Sequence, residues 1–343
     1  MIRLVPRGTF LIALFTVVSL LTPSGCSHRP DFRDGEMLFI DTAYTEAPFA
    51  KDENIVKFNG KYFMYYSAYY PDSAGVNRLC VGIAESDDLT NWKRISQLLP
   101  EQAAETNAIC APGAIIRNDT LHLFYQSYGN FGTEAICHAT SVDGVNFEHD
   151  PSNPVFTATG SWNCGRAIDA EVVEFDGRYF MYFATRDPAQ EIQFQGVAAA
   201  NKNSGLNAGD WTLQLDEPIL KPELDWEGKC IEGATTIVRG NTLYMFYAGA
   251  YNRSPQMIGV ATSKDGIHWE RMSQEPFLRN GKPGSWNEME SGHPDIFEDE
   301  DGRTWLFYQG YNNADRSWEI SKVEVFWKRG KLLPLASEVD EQD

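Results

Sequence analysis

The sequence is poor in basic residues. It has 29 Lys and Arg against 48 Asp and Glu, which gives a formal net charge of −19 over 343 residues. Nucleic acids and anionic membrane surfaces are bound chiefly through clustered Lys and Arg. The charge balance therefore argues against both as partners, whereas an uncharged ligand such as a sugar is indifferent to it.

Cysteine is sparse and follows no pattern. Beyond Cys26 there are five cysteines, with no Cys-x-x-Cys pair and no Cys/His cluster of the kind that binds zinc. One or two disulfides are possible if the protein is exported. The sequence leaves their pairing open.

Long apolar or helix-periodic stretches are missing after residue 25. Before it, two arginines precede an apolar core at Phe10–Leu21, which is too short for a comfortable membrane span. This order predicts a signal peptide over residues 1–25. The small residues directly before Cys26 resemble a bacterial lipobox, apart from Pro23, and predict a lipid anchor on Cys26. We expect a membrane-anchored lipoprotein in the periplasm or at the cell surface, or else a secreted protein.

The sequence does contain a repeated unit of two short, aromatic-rich strands joined by a tight turn. The turns align at Gly60, Asp119, Gly177, Asn241 and Gly302, at intervals of 59, 58, 64 and 61 residues. A fixed period of this size filled with short strands indicates a repeat architecture. Five such units predict an all-β fold, a five-bladed β-propeller.

The repeats account for a single domain over residues 47–335. Residues 26–46 are expected to form a tether that ends in an opening strand at Met37–Ile40. Residues 336–343 form an acidic tail. We expect the protein to be a monomer.

Acidic side chains recur at one place in the repeats, eight or nine residues before the turn. The five blades present Asp52, Ala111, Asp169, Glu232 and His293 there. Because the innermost strands of a propeller line its central channel, equivalent positions converge at one end of it. Grouped carboxylates in a partly desolvated pocket separate into a protonated acid and an ionised base, as glycoside hydrolysis requires. Strand alternation allows only one of Asp52 and Glu53 to face the channel, and the register favours Asp52.

These motifs resemble the five-bladed propeller glycosidases of glycoside hydrolase family 43 and its relatives in families 32, 62 and 117. The resemblance covers about residues 47–326. It rests on Lys51-Asp52-Glu53, Ile168-Asp169-Ala170 and Ile231-Glu232-Gly233-Ala234, with Ala111-Pro112-Gly113 and Gly292-His293 as further matches. Glu53, Ala170 and Ala234 stand where family members usually have proline.

The resemblance implies inverting hydrolysis of arabinofuranosyl, xylosyl or related bonds in poly- or oligosaccharides. Asp52 would be the general base with a depressed pKa, and Glu232 the general acid with a raised pKa. Asp169 would orient Glu232 and help to keep its pKa raised. No cofactor is implied as a requirement. His293 would lie over the channel, where it would contact substrate or help to hold a calcium or sodium ion.

Further substrate contacts are expected at the blade ends, where aromatic faces can stack on sugar rings. Arg186, Tyr128 and Trp226 are the candidates there. Two alternative functions stay open: a family 117-like hydrolase that removes anhydrogalactose from agar oligosaccharides, and a non-catalytic glycan-binding lipoprotein. The presence of all three acids favours an enzyme over the second.

Overall fold

The computed structural model describes residues 37–105, 107–130 and 132–335. The predicted signal peptide, Cys26, most of the tether and the acidic tail lie outside these residues, so export and lipidation stay predictions. Among the described residues no helix is long and apolar enough to cross a membrane.

Five antiparallel sheets form the blades of a propeller, as the repeats predict. Blade one has β1 (Lys51–Phe58), β2 (Lys61–Pro71), β3 (Asn77–Ser86) and β4 (Lys93–Leu98). Blade two has β5 (Ile109–Arg117), β6 (Thr120–Ser127), β7 (Ile136–Ser141) and β8 (Glu148–His149). Blade three has β9 (Ile168–Phe175), β10 (Arg178–Arg186), β11 (Gln193–Asn201) and β12 (Thr212–Leu213).

Blade four has β13 (Ile231–Arg239), β14 (Thr242–Gly249), β15 (Met257–Ser263) and β16 (Glu270–Arg271). Blade five has β17 (Ser291–Glu298), β18 (Thr304–Asn312) and β19 (Ser317–Val325), and the hairpin β20 (Trp327–Lys328) and β21 (Lys331–Leu332) follows it. Single 3₁₀ turns lie at Ala103–Glu105 and Asp225–Glu227.

The predicted turns join the first and second strands of each blade. At Asn59-Gly60 both residues have positive φ, 51° and 79°, and at Asp176-Gly177 the values are 47° and 73°. Two-residue hairpins of this kind need positive φ at both central residues, which Asn, Asp and Gly adopt at little cost. Turn chemistry that can be read from the sequence therefore sets the hairpin register.

Blade five takes its outer strand from the other end of the chain. Phe39 and Ile320 exchange backbone hydrogen bonds of 2.8 and 3.0 Å, and the Ala50 amide donates to the Trp318 carbonyl at 3.0 Å. The residues predicted as an opening strand thus complete blade five and close the ring. The propeller begins at least as early as Met37, rather than at residue 47.

The apolar core is divided into five clusters, each between two neighbouring blades. Phe124, Phe246 and Phe307, one each from blades two, four and five, are fully buried in three of them. Burying one such side chain contributes roughly 1.5–3 kcal/mol. Since the core lies between the blades, the axis is free for polar residues.

Candidate active site

A β-bulge interrupts the inner strand of every blade near its start. The first bulged residue has a left-handed backbone in each blade: Asp52 (φ 53°), Ala111 (48°), Asp169 (54°), Gly233 (55°) and His293 (41°). A non-glycine residue in this conformation is uncommon, and bulges re-aim side chains next to active sites. The bulges surround a channel cavity of about 30 Å³ on the propeller axis.

The bulges correct two predictions about register. Glu232 lies one residue before the equivalent position, which in blade four belongs to Gly233. The expectation that Asp52 and Glu53 must point to opposite sides is also wrong. A bulge suspends strand alternation, and both residues line the channel cavity.

His293 stands between two of the predicted catalytic carboxylates. Its Nδ1 lies 3.1 Å from Asp52 Oδ1, and its Nε2 lies 3.4 Å from Glu232 Oε1. Asp169, Glu232 and His293 each offer an atom within 4.8 Å of the other two. The structure therefore brings together all four polar residues that the repeat pattern predicted at the channel.

Charge explains the protonation of this group. Burial alone would lower the pKa of His293, but the carboxylates of Asp52, Glu232 and Asp169 outweigh it and raise that pKa to about 10. Burial likewise opposes ionisation of Asp52. The positive charges of Lys51 and His293 and the Ser67 hydrogen bond nevertheless hold the Asp52 pKa below its usual value. The depressed pKa predicted for Asp52 is confirmed.

The raised pKa predicted for Glu232 is wrong in this structure. Burial would raise it, but the hydrogen bond with His293, the charges of His293 and Lys51 and the Gln256 amide lower the Glu232 pKa. The raised value belongs to Asp169, where burial and the neighbouring carboxylates outweigh the attraction of His293. The proton of this cluster therefore resides on His293 when no substrate is bound.

Three side chains on the second strands hold the bulged backbone. Ser67 Oγ donates to Asp52 Oδ2 at 2.5 Å and accepts from the Ala111 amide at 2.8 Å. Gln126 Oε1 accepts from the Asp169 amide at 2.7 Å, and Gln309 Oε1 accepts from the Asp52 amide at 2.7 Å. The sequence analysis missed them, although each is a polar residue in an aromatic-rich strand.

Two glutamine amides and a lysine complete the surroundings of the acids. Gln256 Nε2 donates to Glu232 Oε1 at 2.8 Å, and Gln193 Nε2 donates to Glu232 Oε2. Lys51 Nζ lies 3.6 Å from Asp52 Oδ1. Both oxygens of Glu232 thus have partners that fix the orientation of the carboxylate.

Comparison with known proteins agrees with the geometry of the site. The family model described as "Glycosyl hydrolases family 43" matches residues 45–328. The chain belongs to glycosyl hydrolases family 43. The match includes β1 to β19 and every residue of the channel group.

Individual relatives of this family 43 chain are distant. A sucrose-6-phosphate hydrolase from Zymomonas mobilis is 26% identical over 188 residues, which are 50% of this chain and 36% of the relative. A thermostable family-43 glycoside hydrolase has a TM-score of 0.67 at 21% identity, over 82% of this chain and 91% of the other. An α-L-arabinofuranosidase from Lactobacillus brevis has a TM-score of 0.63 at 18% identity, over 82% and 92%. At these identities the structural matches establish the fold alone.

The three remaining substrate contacts predicted for this family 43 chain have different surroundings. Arg186 lies beside Gln193, which accepts from its Nε at 2.9 Å. Tyr128 is 42% exposed. Trp226 stacks on Tyr247 at 6.0 Å, and its Nε1 donates to the Gln274 carbonyl. The Trp226 indole therefore packs against Tyr247 on blade four, and its role as a sugar platform stays a prediction.

The residues that line the channel of this family 43 propeller also show which side chains could bind the predicted calcium or sodium ion. The two ring nitrogens of His293 already face carboxylates, and its raised pKa keeps the ring protonated, so it is a poor ligand. Glu53 is 4% exposed, and neither carboxylate oxygen has a hydrogen-bond partner among the described residues. Hard cations prefer oxygen ligands. The predicted ion in the channel stays a proposal, and the free oxygens of Glu53 are candidate ligands for it beside His293.

The disulfides that the sequence leaves possible are not formed among the described residues. Cys80, Cys110, Cys137, Cys164 and Cys230 are all free thiols. Cys110 and Cys230 are buried, and burial raises the pKa of both thiols well above the usual value. Both are therefore inert neutral groups beside the site.

Proposed function

We propose that this protein is an inverting glycoside hydrolase in which Asp52 is the general base and Glu232 the general acid. The observation that carries the proposal is the placement of Asp52 and Glu232 against opposite ring nitrogens of His293. Inversion needs two carboxyl groups far enough apart, about 6.5–9.5 Å, for a water to enter beside the sugar. Carboxyl groups separated by an imidazole ring suit that requirement.

Asp52 fits the role of base. Its lowered pKa keeps it ionised at neutral pH, so it can accept a proton from water. Ser67 holds Oδ2, and Oδ1 faces Lys51 and His293. The attacking water would lose its proton to this carboxylate as its oxygen attacks the anomeric carbon.

Glu232 needs a proton before it can serve as the acid. Its lowered pKa makes it ionised in the free protein, while His293 beside it holds a proton. We treat the two as one titrating pair that shares a proton. A glycosidic oxygen bound against Glu232 would receive that proton as the bond to the leaving sugar breaks. The negative charge of Asp169, once ionised, would help to keep the shared proton on this pair.

Arabinofuranosyl and xylosyl bonds are the proposed targets. The similarity in fold to an α-L-arabinofuranosidase from Lactobacillus brevis supports this choice. Neither the comparisons nor the site supports the agar-oligosaccharide alternative or the non-catalytic one. The fully retained acid group instead supports turnover.

The test is hydrolysis of aryl and oligosaccharide arabinofuranosides and xylosides, with the product anomer followed by NMR from the first turnover. We expect release of the sugar with inverted configuration. A product of retained configuration would overturn the roles of Asp52 and Glu232. Intact glycan binding without hydrolysis of any substrate would point to a binding protein instead.

A further inference from the structure

Two arginines at the mouth of the site have no carboxylate partner. Other cations face the two proposed catalytic carboxylates: Lys51 and His293 face Asp52, and His293 also faces Glu232. Within the described residues no carboxylate oxygen lies within 4.0 Å of the guanidinium of Arg186 or Arg253. In a chain with a net charge of −19, unpaired arginines beside the catalytic group need an explanation.

A single side chain, that of Gln193, connects Arg186 to the proposed acid. Its Nε donates to Gln193 Oε1 at 2.9 Å, and the amide of the same glutamine donates to Glu232. Its guanidinium carbon lies 5.4 Å from the centre of the Tyr251 ring. Among the described residues only Nε has a hydrogen-bond acceptor, so the two terminal NH₂ groups are available to a ligand.

Arg253 lies on the side of the proposed base. Its guanidinium carbon is 5.3 Å from the centre of the Tyr311 ring and 5.5 Å from that of Trp318. Lys51 Nζ, next to Asp52, is 5.2 Å from the centre of the same Trp318 ring. Stacking on aromatic rings fixes the plane of a guanidinium and leaves its N–H edge free.

One short loop joins the two sides. Tyr251 contacts Arg186, Asn252 Oδ1 accepts from Lys51 Nζ at 3.1 Å, and the Arg253 amide donates to Glu290 Oε2 at 3.0 Å. Arg253 has a left-handed φ of 60°, which the hydrogen bond from its backbone amide to Glu290 helps to maintain. The loop therefore connects Arg186, Lys51 and its own Arg253 into a cationic rim around the mouth from Glu232 to Asp52.

We propose that this rim binds a carboxylate on the substrate, so that the enzyme acts on glycans that carry uronic acid residues. The proposal rests on the proposed function and specifies its substrate class. A guanidinium edge matches a planar carboxylate with two parallel hydrogen bonds. The overall negative charge does not oppose this at contact range, because charge is screened beyond about 8 Å at physiological ionic strength. A sulfate ester is the other anionic group that the same arginines could take.

The experiment compares kcat/KM for three forms of one xylan-derived oligosaccharide mixture. The first carries glucuronic acid, the second has its carboxyl groups reduced to alcohols, and the third is neutral but sulfated. Wild type, Arg186→Gln, Arg253→Gln and Arg303→Gln are assayed on each. Arg303 is the matched control because it is exposed, pairs with Asp301 and stacks on Trp305, away from the mouth.

The wild type is expected to prefer the uronate form over the reduced form. Each mouth variant should lower that preference by roughly 10- to 100-fold, the loss expected for hydrogen bonds to a charged group. Arg303→Gln should keep the wild-type preference. Because Arg186 is half-buried, Arg186→Lys serves as a second variant that keeps the charge and loses the paired donors, and it should lose part of the preference.

Equal rates on the uronate and reduced forms, unchanged in the mouth variants, would overturn the inference and leave the glycosidase intact. A preference for the sulfated form over the uronate would also overturn it. If no form is cleaved, the proposed function fails, and calorimetric binding of the same three mixtures decides the inference. Uronate-selective binding lost in Arg253→Gln supports the rim, and equal binding of all three refutes it.

Discussion

Gly233 and His293 meet so closely that a side chain on Gly233 would collide with the imidazole. A Cβ built on Gly233 would lie 2.8 Å from His293 Nδ1, and Gly233 has a φ of 55°. The bulge residue of blade four therefore touches the bulge residue of blade five. Glycine at this position allows His293 to stand between Asp52 and Glu232.

Gly233→Ala should reduce activity out of proportion to its effect on stability. The added methyl group must displace His293, and misplacing a catalytic group by about 1 Å can cost roughly 100-fold in rate. The measurement is kcat/KM together with the thermal midpoint. Gly240→Ala is the control, because Gly240 has a φ of 61° and nothing within 4 Å of an added Cβ. Equal activity in the two variants would contradict the argument.

Glu232→Gln should abolish turnover while the fold and glycan binding survive. Glutamine keeps the shape and the hydrogen-bonding oxygen but cannot donate the proton, and loss of a general acid costs roughly 100- to 10,000-fold. The readouts are kcat and the affinity for an uncleaved oligosaccharide. Glu174→Gln, at an exposed site on β9, should behave as wild type. Wild-type turnover in Glu232→Gln would remove Glu232 from the mechanism.

His293→Gln should move the high-pH limb of the kcat/KM profile to lower pH. In the wild type the pair keeps its proton up to the His293 pKa of about 10. Without the histidine the proton resides on Glu232 alone, whose pKa is then raised only by burial. We expect a shift of about one pH unit or more. His268→Gln, in an exposed turn, is the control, and an unmoved limb would argue against a shared proton.

Glu171→Gln should flatten the dependence of stability on pH. Burial, reinforced by Asp295, raises the Glu171 pKa from 4.5 to about 8. The folded protein therefore keeps a proton that the unfolded chain loses, so its stability is full below about pH 4.5 and falls as the pH rises toward 8. The variant keeps an oxygen for Thr236. From about pH 5 to 8 its loss of unfolding free energy should be smaller than that of wild type by about 2 kcal/mol or more.

Chemical denaturation at both pH values measures this difference. Glu148→Gln, on the exposed edge strand of blade two, should keep the wild-type slope. An equal slope in Glu171→Gln would mean that Glu171 is already ionised in the folded protein.

The fold could be predicted because its turns are local. Asn59-Gly60 and Asp176-Gly177 need positive φ whatever surrounds them, so their spacing reveals the blades before any contact is known. The three acids could be found for the same reason. Counting back from each turn leads close to the bulge of its inner strand.

Contacts between residues on different strands could not be predicted from the spacing of the turns. Glu232 was assigned the position that belongs to Gly233 because an interval of nine residues was accepted as well as eight. Eight residues before Asn241 is Gly233, and only blade five, with its longer turn, needs nine. The prediction of a raised Glu232 pKa was wrong because this pKa depends on His293, whose charge is set by carboxylates from three blades. Ser67 and Gln309 act on neighbouring blades, and single-strand patterns do not show which backbone a side chain will meet.

The outer strand of blade five imposes an order on folding. Ser321 Oγ donates to the carbonyl oxygen of Met37 across 284 positions of sequence, so a segment synthesised before blade one binds a strand synthesised after blade four. Closing so long a loop is a late and entropically costly event. During synthesis the segment around Phe39 has no partner strand until β19 has emerged. Until ring closure, the four-stranded blades can form locally, but the Asp52 side of the site has no His293 to meet.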